Sequence, residues 1–146
     1  KEELQLATVE VARTSFLAEV VLPALGKHEP GLDQLRALCE GFLSYVERRV
    51  FPGGCFFVAA SAELGARPGR LHDRVSGYQQ QWRDLLQAQA RAAREAGRIT
   101  ADPDQLAFEL GAILAGANLI AVLHDDQSAI GRARVAIARL LADDDG

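Results

Sequence analysis

Residues 102–123 read DPDQLAFELGAILAGANLIAVL, and the fold follows from how that stretch must be covered. Asp102-Pro103-Asp104 is a helix start: the aspartate accepts from free amides of the first turn, and proline there gives up a donor that has no partner anyway. From Leu106 to Leu123 the only strongly polar side chains are Glu109 and Asn118. The run from Leu110 to Leu123, at about 14 residues, falls short of the ~20 that cross a bilayer, so no membrane role is expected. A small helical domain covers one side of such a helix with its own core. A second chain is expected on the other side. Gly111, Ala112, Ala115, Gly116 and Ala117 permit close helix approach. A central helix wholly enclosed in a monomer is the alternative reading.

The helical period extends in both directions. Apolar residues recur at three and four from Leu4 to Leu25, with Pro23 near the end of that segment, and Gly26 and Pro30-Gly31 break it. A second helix, starting at Gly31 or Asp33, carries Leu35, Leu38, Phe42, Tyr45 and Val46 on one face. It must stop near Val50, because Phe51-Pro52-Gly53-Gly54 cannot continue it. Cys55 to Leu64 reads as a short helix, apolar on nearly all sides and so expected inside the domain. The longest segment, Pro68 to Gly97, places Leu71, Val75, Tyr78, Trp82, Leu85 and Leu86 on one face, with Gly97 as its terminator. After the helix quoted above, His124-Asp125-Asp126 makes a short break. A last helix then carries Ile130, Ile137, Leu140 and Leu141 inward, with Arg132, Arg134 and Arg139 outward. The tail from Asp143 to Gly146 is expected to fray. With no strand alternation, the reading is all-α, six helices.

Composition limits the function. The 146 residues carry 16 Lys+Arg against 20 Asp+Glu, a net charge of −4, so this segment has no field to hold nucleic acid by itself. There is no methionine, and Lys1-Glu2-Glu3-Leu4 already reads as helix, which suggests a fragment or the ordered part of something longer. No secretory signal pattern is visible. Cys39 and Cys55 lack CxxC spacing, as in a reduced, cytoplasmic protein.

Catalytic and cofactor readings find no support. His28, His72 and His124 lie in or beside breaks without a second ligand at helical spacing, so surface positions rather than a metal site are expected. Gly53-Gly54 opens no phosphate loop, and Ser61 has neither a nearby histidine nor a GxSxG setting. Cys55 stands at a helix start, where the dipole would lower its pKa if exposed. With Phe56 beside it and no cationic neighbour, a buried structural thiol is favoured over a redox sensor. No cofactor is implied.

Phe16, Phe42, Tyr45, Phe57, Tyr78 and Trp82, spread over four helices and accompanied by Ser61 and Asn118, have the composition of a ligand cavity: apolar walls with a few orienting polar groups. Singly, each aromatic reads as core filling. As a set they point to a pocket. On the quoted helix and the last one, Leu114, Ala115, Leu119, Val122, Ile130 and Ile137 are the candidates for a seam between two copies, closing a four-helix bundle.

The segment Phe51-Pro52-Gly53-Gly54-Cys55-Phe56-Phe57, continuing through Ser61-Ala62-Glu63-Leu64 to Arg67-Pro68-Gly69 and Asp73, resembles the middle of the C-terminal regulatory domain of TetR-family transcriptional repressors. The opening Lys1-Glu2-Glu3-Leu4 resembles the start of that family's fourth helix. Leu64, where relatives often have Phe, and Arg70, where Pro is common, depart from the pattern around one loop. The resemblance covers essentially the whole chain, residues 1–146. It implies a homodimer responding to a small hydrophobic effector, whose DNA contacts lie in an N-terminal helix-turn-helix absent from this sequence. Effector and operator would then oppose each other by roughly 1–3 kcal/mol of coupling, through the first and fourth helices. The competing reading is a helical dimerisation or protein-interaction module with no small-molecule effector.

Overall fold

The computed structural model describes residues 1–144, and among these every regular element is helical. The chain opens with α1 (Glu2–Phe16), a π-helical turn (Leu17–Val21) and α2 (Leu22–Lys27), which run on without a break in helical backbone. Then come α3 (Leu32–Glu47), α4 (Phe56–Leu64), α5 (Arg70–Glu95), α6 (Pro103–Leu123) and α7 (Ser128–Leu140). Since α1, the π turn and α2 are one rod, these are the six expected helices.

Pro23 accounts for the π turn. It has no amide to donate, and its ring crowds the carbonyl four residues back, at Glu19. The backbone widens ahead of it, and the Leu22 amide reaches back to the Leu17 carbonyl.

The ends of the helices are as their sequences demand. Asp102 Oδ2 accepts the Gln105 amide at 2.9 Å, with Pro103 in the first turn. Gly97 (φ +76°) ends α5, its amide on the Arg94 carbonyl and the Arg98 amide on the Ala93 carbonyl, a two-bond termination that left-handed backbone permits. Arg49 (φ +53°) turns the chain out of α3 in the same sense.

The centre of the domain is α3. Nine of its sixteen residues are buried, among them Leu32, Leu35, Leu38, Leu43 and Tyr45. It packs on the π turn, α2, α5, α6 and α7. The expectation that the Cys55–Leu64 helix lies inside is corrected: α4 buries only Phe57. It leans on α5 and α6 from one side, and the small side chains of Ala59 and Ala62 face solvent at little cost.

The quoted helix, α6, packs mainly against α5 and α7. It includes Pro103–Glu109 and so spans 21 residues, long and apolar enough by length and composition to cross a membrane. In this fold Leu106, Leu110, Leu114 and Ala121 are buried against other helices, while Phe108, Leu119 and Leu123 stay exposed.

The tail is more ordered than expected. Arg98 binds Asp143 at 2.6 Å, the Asp144 amide donates to the Arg98 carbonyl, and Arg36 donates to the Leu141 carbonyl. The rest of that expectation, Asp145 and Gly146, lies outside the described residues.

Candidate functional site

A cavity of about 640 Å³ opens between α1, the π turn, α4, α5 and α6. Its size and mainly apolar wall are those of a site for a drug-sized molecule. The wall begins with an aromatic box. Phe16, the last residue of α1, meets Trp82 edge-on at 5.1 Å, Tyr45 at 5.6 Å, Phe42 at 6.2 Å and Phe57 at 6.3 Å between ring centres. Phe42 stacks on Trp82 at 6.1 Å, and Phe57 meets Tyr78 at 5.9 Å. These offset and edge-on arrangements are the favourable ones for rings.

Six of the eight proposed pocket residues line this cavity: Phe16, Phe42, Phe57, Ser61, Tyr78 and Trp82. Two do not. Tyr45 lies behind Phe16, 1% exposed, and packs towards Phe51. Burial raises its phenol pKa, an effect partly opposed by a hydrogen bond with Ser15. Asn118 is turned to the loop before α4, where its Oδ1 accepts the Cys55 amide at 2.9 Å. Both expectations placed an inward-facing residue in the pocket, but inward on α3 and α6 also means the core.

The π turn adds wall that was not among the pocket candidates, namely Leu17, Val21 and, from α2, Leu25, which the helical period had marked only as one apolar stripe. Gly41 of α3 accepts the turn closely, for a side-chain carbon there would stand 3.4 Å from both Val20 Cγ1 and the Val20 carbonyl oxygen. Polar lining comes from Arg13, Ser61, Tyr78, Gln79, Gln81 and Arg83. The signal for Arg13 was its place one turn before Phe16, on the same face. Ser61 donates to the Phe57 carbonyl at 2.6 Å, and Gln79 Nε2 donates to Ser61 Oγ at 3.0 Å and to the Phe57 carbonyl at 3.1 Å.

Along α1 and α5 a ladder of polar contacts runs from the N-terminus to this cavity. Arg70 pairs with Glu2 and Glu3. Arg74 and the Tyr78 hydroxyl both donate to Glu10, and Arg13 donates to Gln81 at 2.9 Å while lying 4.4 Å above the Tyr78 ring. The Tyr78 hydrogen bond, then the Arg74 one, holds the Glu10 carboxyl below its ordinary pKa.

The proposed seam residues divide. Leu119 and Val122 are exposed on α6, beside Ile120 and Leu123, with Val135 of α7 exposed as well. Ala115 is half-buried and lies in the cavity wall. Leu114, Ile130 and Ile137 are at most 7% exposed and turned into this chain's own core, with Leu114 also at the cavity wall.

Among the described residues no group of three or more His, Cys, Asp or Glu could hold a metal. His28 and His124 are exposed, and His72 pairs with its neighbour Asp73 at 3.1 Å. Cys39 and Cys55 are free and buried, and burial raises both thiol pKa values.

Comparison with known proteins agrees with this architecture. Residues 31–137 match the family model described as the tetracyclin repressor-like, C-terminal domain. The chain belongs to that family of transcriptional regulators. Among solved structures it is similar to a TetR transcriptional regulator from Chloroflexus aurantiacus J-10-FL, with a TM-score of 0.79 and 25% identity over 94% of this chain and 70% of that one. No curated protein is significantly similar in sequence.

Proposed function

We propose that this domain is the sensing and dimerising half of a cytoplasmic TetR-like regulator, taking a small, largely apolar and aromatic effector into the Phe16–Trp82 cavity. The observation that carries the reading is that cavity: rings from α1, α3, α4 and α5 converge on one space and leave it open. A helical module that served only for assembly would have no use for it and would fill it to interior density.

A helix-turn-helix preceding Lys1 would read the operator, with a homodimer setting the spacing of two half-sites. The exposed α6 stripe around Leu119 and Leu123, continued by Val135, suits the second copy. The α1–α5 ladder would transmit, since a ligand against Phe16 and Tyr78 pushes on the same two helices that hold Glu10, Arg74, Arg13 and Gln81. An effector preferring one arrangement of these helices would shift the balance between operator-bound and free forms.

The test is a thermal-shift screen of apolar and aromatic compounds, with each hit repeated on Trp82→Ala and Phe16→Leu. Hits that survive both substitutions unchanged place the effector elsewhere, and a screen without hits argues for an assembly module.

A further inference from the structure

The cavity is electrically one-sided. Two of its lining residues, Arg13 and Arg83, are cationic, and none is an aspartate or glutamate, in a chain whose net charge is −4. Neither arginine has a carboxylate within ion-pair distance among the described residues, whereas Arg36, Arg48, Arg49, Arg70, Arg74, Arg91, Arg98 and Arg134 all do; Arg67, Arg94, Arg132 and Arg139 are likewise without an ion pair there, but none of them lines the cavity. Glu10, the acid nearest Arg13 along α1, is already taken by Arg74 and the Tyr78 hydroxyl.

The two cations sit at opposite edges of the α5 wall. At about 100° per residue, Tyr78, Trp82 and Leu85 form the central stripe, with Gln81 on one flank and Gln79 and Arg83 on the other. Arg13 comes in over the Gln81 edge. Arg13 is half-buried as a residue, its guanidinium carbon lies 4.4 Å over the Tyr78 ring, and it donates to the neutral Gln81 side-chain carbonyl at 2.9 Å on the exposed edge of the cavity. A guanidinium with donors to spare beside an aromatic box is built to receive a planar anion.

The geometry points to an amphipathic organic acid as the effector: an aromatic or apolar body in the Phe16–Phe42–Trp82 box, and a carboxylate on Arg13 with Arg83 at the rim. The ligand carboxylate replaces Gln81 as Arg13's acceptor. This inference rests on the reading of the cavity as the effector site and goes on to assign the charge of what enters it.

The test compares biphenylcarboxylic acid, its primary amide and the corresponding aminomethyl compound, titrated against the 146-residue chain by quenching of Trp82, its single tryptophan. The acid is expected to bind about tenfold or more tightly than the amide, and the amine weakest, as one charge-assisted hydrogen-bond pair provides. Arg13→Gln should weaken the acid about tenfold and leave the amide within about threefold, which also shows that the variant is folded. Arg83→Gln should reduce the salt dependence of acid binding. Amide or amine binding as tight as the acid, or an Arg13→Gln variant that binds the acid normally, overturns the anion assignment and leaves the cavity reading standing. If none of the three binds, and decanoate, decanamide and decylamine fail as well, the cavity reading falls and the assignment with it.

Discussion

Gly54 and Asn118 are fitted to each other: a side-chain carbon built on Gly54 would stand 2.2 Å from Asn118 Oδ1, the atom that accepts the Cys55 amide. Gly54 is also at φ +75°, where L side chains are strained. One asparagine on α6 thereby fixes where α4 begins, and so where Phe57 and Ser61 stand in the cavity wall.

Asn118→Leu keeps the branched shape and the number of heavy atoms and leaves the Cys55 amide buried without an acceptor. The expected loss is about 1–3 kcal/mol in urea unfolding. Gly54→Ala should lose at least as much, since clash and strain act together. A Gly54→Ala variant as stable as the parent would show that the loop relaxes freely.

Leu119→Glu and Ile137→Glu should fail differently. Leu119 is 58% exposed and Ile137 7%. A charge at Leu119 should give a folded monomer by sedimentation, and a charge at Ile137 should unfold the chain because it is buried without a partner. A folded dimer with Glu at position 119 would move the seam off this stripe.

Phe16→Ala removes the ring at the centre of the box. About 3 kcal/mol of stability should go with it, the lower end for such truncations because Phe16 is not fully buried. Trp82 emission should shift to the red as water reaches the indole, and an unshifted spectrum would mean that the box closes over the gap.

The thiols give a pH dependence with a definite sign. Burial pushes Cys39 up to about 12 from an ordinary 9.0, so the folded chain holds that proton more tightly than the unfolded one. The resulting stabilisation is whole below pH 9 and is lost as pH rises towards 12. Wild type should therefore lose more stability than Cys39→Ala between about pH 8 and pH 10 in urea melts. Equal losses would exclude the thiol as the cause. Both cysteines should also resist alkylation until the chain is unfolded.

Much of this was legible in the sequence, for identifiable reasons. Helix number and ends were readable because Asp102-Pro103, Gly97 and the Pro52-Gly54 break each act locally. The aromatic half of the cavity was readable because large rings at helical spacing must face inward. What spacing could not say was which inward residue meets space and which meets another helix. Tyr45 and Asn118 went one way and Phe42 the other, and Ile130 and Ile137 turned into their own core. Composition likewise misplaced α4, since small apolar residues such as Ala59 and Ala62 fit a surface as well as a core. The π turn left no mark on the periodicity beyond Pro23.

That turn sets the phase of the helix before it. It takes up one residue more than a regular turn, and rewinding the same residues as α-helix would rotate Glu2–Phe16 by about 100°. Glu10 would swing off Arg74 and Tyr78, and Arg13 off Gln81. On its other side the rod is keyed to α3 where Val20 meets Gly41. The widened turn thus works as an offset coupling between two shafts, one seated on α5 and one on α3, with Phe16 at the joint and the cavity beneath it.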